Sequence, residues 1–147
     1  MLILKTETGI ITNLVVAMEK RQNYSRKREA IYEAICGTDI HPTADWIYQT
    51  LKPVYPDLSL GTVYRNISRF KEEGKIVSVG VVNGQERLDG NTVPHSHFIC
   101  KVCGRVLDVG SDGVITDGHL DQSIAKRYGC QVDFHDLVFH GTCSHCL

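Results

Sequence analysis

The 147-residue sequence has no apolar run approaching the roughly 18 residues that a membrane-spanning helix needs. No membrane association is therefore expected. The apolar opening, Met1 to Leu4, is too short for a signal-peptide core, and Thr6, Glu7 and Thr8 interrupt it. The expected location is cytoplasmic. There is no low-complexity tract and no internal repeat, and the composition is globular. Neither sign of charge dominates; the formal net charge is −1. No H-E-x-x-H occurs, and no H-x-E accompanies a P-C-x-x-C. The common zinc hydrolase and deaminase signatures therefore fail, which disfavours a zinc-dependent enzyme.

Cysteine, by contrast, is present in a meaningful arrangement. Cys100 and Cys103 form one C-x-x-C pair, and Cys143 and Cys146 form a second, with 39 residues between the pairs. In a reducing compartment such pairs favour metal over disulfides. Four thiolates suit tetrahedral Zn²⁺ and leave no open position, so the role is structural. The ion would tie the end of the chain to the start of its second half. Cys36 and Cys130 have no partner at motif spacing and read as small buried residues.

A harder set of donors begins just upstream. If residues 95–99 are extended, His95 and His97 share one face and Phe98 points the other way. Asp89 and Asp108 flank the pair in sequence, and His41 can join from a linker in the first half. Three imidazoles and two carboxylates suit Fe²⁺, Mn²⁺, Co²⁺ or Zn²⁺.

The chain in order reads as an α+β protein. A short helix is expected over 10–19, with Leu14, Val15 and Met18 inward. Ser25 is a plausible N-cap for a helix over 26–36, whose apolar face is Ala30, Ile31, Ala34 and Ile35. Gly37 ends it, and His41-Pro42 reads as an extended linker. Thr43 caps a helix to Leu51, burying Ile47, Tyr48 and Leu51. Ser59 caps a third, over 60–73, with Val63, Ile67 and Phe70 inward and Gly74 at its end. Asn83-Gly84 between Ile76–Val82 and Gln85–Leu88 predicts a hairpin. Three helices and a hairpin describe a winged helix-turn-helix. Strands follow at 97–100 and 105–109, then a helix over 117–128 burying Leu120, Ile124 and Tyr128. Gly129 stops that helix, and 131–139 reads as a last strand. Lys20 to Arg28 contains five basic residues and no acidic one, the kind of patch that nucleic acid requires.

These stretches together resemble the Fur family of bacterial metal-dependent transcription regulators over nearly the whole chain. The matching segments are His-Pro-Thr-Ala-Asp at 41–45, Ser-Leu-Gly-Thr-Val-Tyr-Arg-Asn-Ile at 59–67 and Arg-Leu-Asp at 87–89. His-Ser-His-Phe-Ile-Cys-Lys-Val-Cys-Gly at 95–104 and Gly-Thr-Cys-Ser-His-Cys at 141–146 complete the pattern. The resemblance implies a winged-helix DNA-binding domain (1–88), a hinge (89–94) and an α/β dimerisation and metal-binding domain (95–147). It further implies a structural Zn²⁺, a regulatory metal between the domains, and a homodimer on double-stranded, pseudo-palindromic DNA. Within the family the chain is most similar to the peroxide regulators called PerR, whose three histidines and two aspartates map onto His41, Asp89, His95, His97 and Asp108. Iron-uptake regulators more often carry glutamates where Asp89 and Asp108 stand. They also tend to show a His-His-Asp-His run where this chain has Pro94-His95-Ser96-His97. His135 matches one position of their additional site, without its partners, and is given an ordinary surface or core role. No role is assigned to His119, His140 or His145.

The reading is thus a repressor, not an enzyme, with Fe²⁺ or Mn²⁺ as regulatory metal. Resemblance to PerR implies peroxide sensing by iron-catalysed oxidation of His41 or His95. The alternative is a reversible iron (Fur-type) or zinc (Zur-type) sensor. Tyr64 and Arg65 match the recognition helix, and Lys20, Arg21, Arg26 and the tip Asn83-Gly84 are the expected backbone contacts.

Overall fold

The computed structural model describes residues 7–110 and 118–147, with side chains from residue 14 onward. Its first element, α1 (Glu7–Cys36), is one continuous helix. Two helices were expected, with Ser25 as the cap of the second. The reason for the difference is local: no glycine or proline occurs between Ile10 and Cys36, so nothing breaks the backbone ladder and Ser25 becomes an interior residue. The expectation that Leu14, Val15 and Met18 face inward is also overturned. All three are exposed; the described α1 side chains that pack on the other helices, Ile31, Tyr32, Ala34 and Ile35, lie in its second half.

That second half builds the main core. Ile31 and Ile35 meet Ile47 of α2 (Ala44–Leu51), Val63, Ile67 and Phe70 of α3 (Leu60–Glu72), and Leu58, Ile76 and Leu88. Each such fully buried side chain contributes about 1.5–3 kcal/mol relative to exposure. Tyr48 and Leu51 pack at the edge and are only partly buried, short of the full burial expected. The caps follow the sequence. Thr43 Oγ1 accepts the Trp46 N–H (3.1 Å), and Ser59 Oγ accepts that of Thr62 (3.1 Å). Gly74, at φ +68°, closes α3 in a Schellman turn: the Lys75 N–H reaches Phe70 O (2.9 Å) and the Gly74 N–H reaches Lys71 O (3.0 Å).

Strands β1 (Val77–Val82) and β2 (Gln85–Asp89) pair antiparallel through Asn83 (φ +53°) and Gly84 (φ +77°), the positive-φ pair that the Asn-Gly signal predicts. The second sheet has the order β4-β3-β5. Strand β3 (Ser96–Cys100) runs antiparallel to β4 (Val106–Val109) and parallel to β5 (Val138–Gly141). A small second core of Val82, Ile99 and Val106 joins the hairpin to this sheet. Helix α4 (Gly118–Tyr128) ends at Gly129 (φ +64°) as expected, but buries no side chain. Leu120 is half-buried, while Ile124 and Tyr128 are exposed. The expected strand over 131–139 shrinks to four residues, because only Val138–Gly141 finds a partner on β3. The start of the expected 117–128 helix, Asp117, lies outside the described residues.

Candidate metal centres and reading helix

The cysteine centre is built from two knuckles. The first follows β3, where the Gly104 N–H closes onto Cys100 O (2.9 Å) and Gly104 adopts φ +72°. The second lies at the chain end, where the Cys146 N–H closes onto Cys143 O (2.9 Å). The parallel register Cys100↔Gly141 brings them together. The Sγ atoms of Cys100, Cys103, Cys143 and Cys146 all lie within 4.8 Å of one another, and all four cysteines are free thiols. Cys103 and Cys143 are 3.7 Å apart at sulfur. Tetrahedral thiolates about 2.3 Å from one Zn²⁺ sit about 3.8 Å from each other, so the spacing fits that ion. Backbone N–H groups of Cys103 and Cys143 pull the Cys100 thiol down to about 6. Thiol hydrogen bonds with Cys143 and Cys103 push Cys146 up to about 12. The first thiol ionises readily, and another in the same cluster resists ionisation. A divalent cation resolves that conflict. Cys36 and Cys130 are exposed rather than buried as expected. Cys36 ends α1 and Cys130 follows the α4 stop, and neither position faces the core.

The second centre gathers five donors from four segments. His41 precedes α2, Asp89 ends β2, His95 and His97 bracket the start of β3, and Asp108 lies on β4 directly across from His97. The strand pairing thus does what the two-residue spacing of the histidines predicted, and one donor atom from each of the five lies within 4.8 Å of the others. His95 Nε2 is 3.0 Å from Asp89 Oδ2 and 3.2 Å from Asp108 Oδ1. His97 Nε2 stands 3.2 Å and 3.5 Å from the same two oxygens. His41 Nε2 is 2.8 Å from Asp108 Oδ1 and 3.7 Å from Asp89 Oδ2. Donors about 2.1 Å from one ion at right angles are about 3.0 Å apart, so the cluster fits a divalent cation.

The supporting contacts point the same way. His95 Nδ1 donates to Val93 O (2.7 Å), which leaves its Nε2 lone pair facing the cluster. The Asn91 N–H occupies Asp89 Oδ1 (2.7 Å), so Oδ2 is the oxygen turned to the imidazoles. Burial resists ionisation of Asp89, but hydrogen bonds from His41, Asn91 and His97 outweigh it and hold its pKa at about 2. Burial also opposes charge on His41 and His95. The hydrogen bonds and charge of Asp89 and Asp108, with the Val93 carbonyl on His95, reverse that, and both pKa values are raised. His97 goes the other way: burial first, then the neighbouring imidazoles, lower it and favour its neutral, ligand-competent form.

His41 departs from expectation in its backbone. It lies at φ +53°, not in an extended linker. A non-glycine residue there costs of order 1–3 kcal/mol. The backbone is held from β2: the Leu88 N–H donates to Pro42 O (3.1 Å) and Arg87 Nη1 donates to His41 O (3.2 Å). Sequence reasoning missed Arg87, although it stands in the quoted Arg-Leu-Asp.

In the first half, Tyr64 and Arg65 are exposed on α3 as expected. Arg65 Nη2 is parked on Thr62 Oγ1 (3.0 Å). The basic run divides. Lys27 pairs with Asp57, and Arg28 pairs with Glu73 (2.7 Å) while stacking over Phe70. Lys20, Arg21 and Arg26 are exposed. At the wing tip Asn83 and Gly84 are exposed, and the Asn83 side chain lies close to Gly104 of the first knuckle. His135 has an ordinary partner, Asp121, and His145 Nδ1 lies 3.1 Å from Arg105 Nη1.

A profile of the ferric uptake regulator family matches residues 19–140, spanning both halves, all five donors of the second centre and the first cysteine pair. The chain belongs to the ferric uptake regulator family. The peroxide operon regulator of Bacillus subtilis strain 168 is 34% identical over 120 residues, which cover 82% of this chain and 81% of that one. The peroxide stress regulator of Campylobacter jejuni superposes with a TM-score of 0.70 at 24% identity, covering 90% of this chain and 98% of that one. The ferric uptake regulator Fur of Helicobacter pylori gives the same TM-score at 20% identity, covering 99% and 97%. Both subclasses of the ferric uptake regulator family therefore share this fold, and the donor residues must discriminate between them. No helix among the described residues is long and apolar enough to cross a membrane.

Proposed function

We propose that the chain is a dimeric, metal-dependent transcriptional repressor that senses hydrogen peroxide, and not an enzyme. The observation that carries this reading is the five-donor cluster of His41, Asp89, His95, His97 and Asp108. Two aspartates in place of glutamates favour the peroxide regulators over the iron-uptake regulators. Relatives named peroxide operon regulator and peroxide-responsive repressor support the same choice.

The proposed functional division is 1–88 for DNA, 89–94 as hinge, and 95–147 for dimerisation and metal. His41 comes from the first part and the other donors from the remainder. An ion held by all five would favour one placement of the reading helices, and loss of a donor would release it. Cys100, Cys103, Cys143 and Cys146 hold the structural Zn²⁺ in this reading; His41, Asp89, His95, His97 and Asp108 hold Fe²⁺ or Mn²⁺. The five donors would hold Fe²⁺, which would supply the redox chemistry; His41 or His95 would then take up one oxygen atom of hydrogen peroxide, the other leaving as water. In this reading the dimer face draws on exposed apolar side chains of the second half, such as Ile124, Tyr128, Phe134 and Phe139.

For DNA, Tyr64 and Arg65 would read base edges and Lys20, Arg21 and Arg26 the phosphates. In the Mn²⁺-loaded dimer, Tyr64→Ala and Arg65→Ala should each weaken operator binding by about 5–150-fold, at about 1–3 kcal/mol per base contact, without changing zinc content. Lys20→Ala should weaken binding uniformly across sequences and flatten the salt dependence by about one charge. Operator titrations at several salt concentrations check both. Parent-like affinity in both α3 variants would remove α3 as the reading helix.

A further inference from the structure

We infer that Arg87 is the positioning residue that holds His41 ready for the regulatory ion and ties it to the cysteine knuckle. The inference rests on the proposed reading of the five-donor centre. His41 is the one donor of the five on the helical half of the chain, and its backbone sits in the left-handed region just before a proline. Local preference opposes that conformation, so something must impose it. Arg87 is placed to do so. Its Nη1 donates to His41 O (3.2 Å), with a longer contact to Ile40 O (3.5 Å). Its Nη2 donates to Gly104 O (3.0 Å), the residue after Cys103. One planar guanidinium thus spans a carbonyl of the helical half and a carbonyl of the thiol knuckle.

Two further observations favour a geometric role. The partners of Arg87 are backbone carbonyls, and its Nε is buried without a partner, which is not the pattern of a surface ion pair. A guanidinium two residues from Asp89 also opposes a nearby divalent cation by charge. Any gain it gives the metal site must therefore come from shape. The knuckle end of the strut is itself fixed. A Cβ on Gly104 would stand 2.5 Å from Asn83 Nδ2 and 3.3 Å from Val82 Cγ1, so the hairpin tip rests directly on it. A lysine has no fork with which to hold two carbonyls at once.

The test is Mn²⁺ affinity of the full-length, zinc-loaded dimer, followed by electron paramagnetic resonance titration into the millimolar range. Parent, Arg87→Gln, Arg87→Lys, His41→Ala and the double variant His41→Ala/Arg87→Gln are compared. Arg87→Gln and Arg87→Lys should each weaken Mn²⁺ binding by about tenfold, the low end for a residue that supports a metal ligand, with zinc still one per chain. In the His41→Ala background the same Arg87→Gln change should cost less than about twofold, because its target is gone. If Arg87→Gln does not fold, Arg87→Lys carries the comparison, alone and with His41→Ala. Parent-like affinity in Arg87→Lys overturns the inference. So does an equal loss with and without His41, which would mark a general weakening of the protein. A parent dimer that binds no Mn²⁺ instead overturns the reading of the centre itself.

Discussion

Cys143→Ser is expected to remove the structural zinc and, with it, the ordered second half of the chain. The argument is topological. Cys143 is buried, and its N–H donates to Cys100 Sγ (3.4 Å), so it is the point where the chain end meets the β3 knuckle. Strand β5 is only four residues long and is held on β3 by parallel pairing. The cores give little help, since the second buried cluster consists of Val82, Ile99 and Val106 with Val79 at its edge. A small unit of this kind depends on its metal, and binding of structural zinc then supplies much of its folding free energy. Metal analysis should fall from one zinc per chain toward none, with loss of the dimer by analytical ultracentrifugation. Soluble, dimeric, DNA-binding Cys143→Ser protein without zinc would remove the metal from this part of the account.

His41→Ala is expected to uncouple the regulatory ion from DNA. The other four donors stay in place, so Mn²⁺ should still bind, more weakly. What should disappear is the enhancement of DNA affinity by Mn²⁺. Linkage of this kind is typically about 1–3 kcal/mol, a change of about 5–150-fold. Metal-free DNA affinity should match that of the parent, because the His41 side chain is buried against Asp89, Asp108 and His97 and is not offered to DNA. Fluorescence anisotropy on operator DNA, with and without saturating Mn²⁺, measures both numbers. A variant whose DNA binding still responds fully to Mn²⁺ would show that His41 is not the link between the halves.

Each centre contains a short-range pattern that was legible in the sequence, while His41, Asp89 and Asp108 join the second from other segments. C-x-x-C brings two thiols close within one short turn, and His95 and His97 share a strand face by periodicity alone. The caps Thr43 and Ser59 and the turn Asn83-Gly84 were readable for the same reason: each is decided within a few residues. Elements decided by distant partners were read less well. The break expected at Ser25 did not occur, since a weak helix former is not a helix breaker. Helix α4 was expected to bury Leu120, Ile124 and Tyr128, but periodicity reveals an apolar face without revealing what covers it. The strand over 131–139 was overlong because β-rich composition does not supply a neighbour for each residue. His41 and Arg87 were the hardest to foresee in detail. The left-handed backbone of one is stabilised by the guanidinium of the other, 46 residues away, and no local signal encodes that pair.

The most direct test of the central claim is DNA binding by the Fe²⁺ form and the Mn²⁺ form, each before and after a brief pulse of hydrogen peroxide, followed by peptide mass spectrometry. Both forms should bind the operator beforehand. After peroxide, the Fe²⁺ form should release DNA in step with a gain of one oxygen, about +16 Da, on His41 or His95. An oxidant formed at the ion attacks what lies nearest, so His119, His140 and His145 should be spared. The Mn²⁺ form should keep both its DNA and its histidines. The four zinc cysteines should stay reduced at the same dose, since thiolates on a coordinatively closed zinc are shielded. DNA release that tracks oxidation of Cys100 or Cys143 with His41 and His95 intact would contradict the account. An Fe²⁺ form that keeps its DNA affinity and unmodified histidines throughout would identify a reversible iron sensor instead.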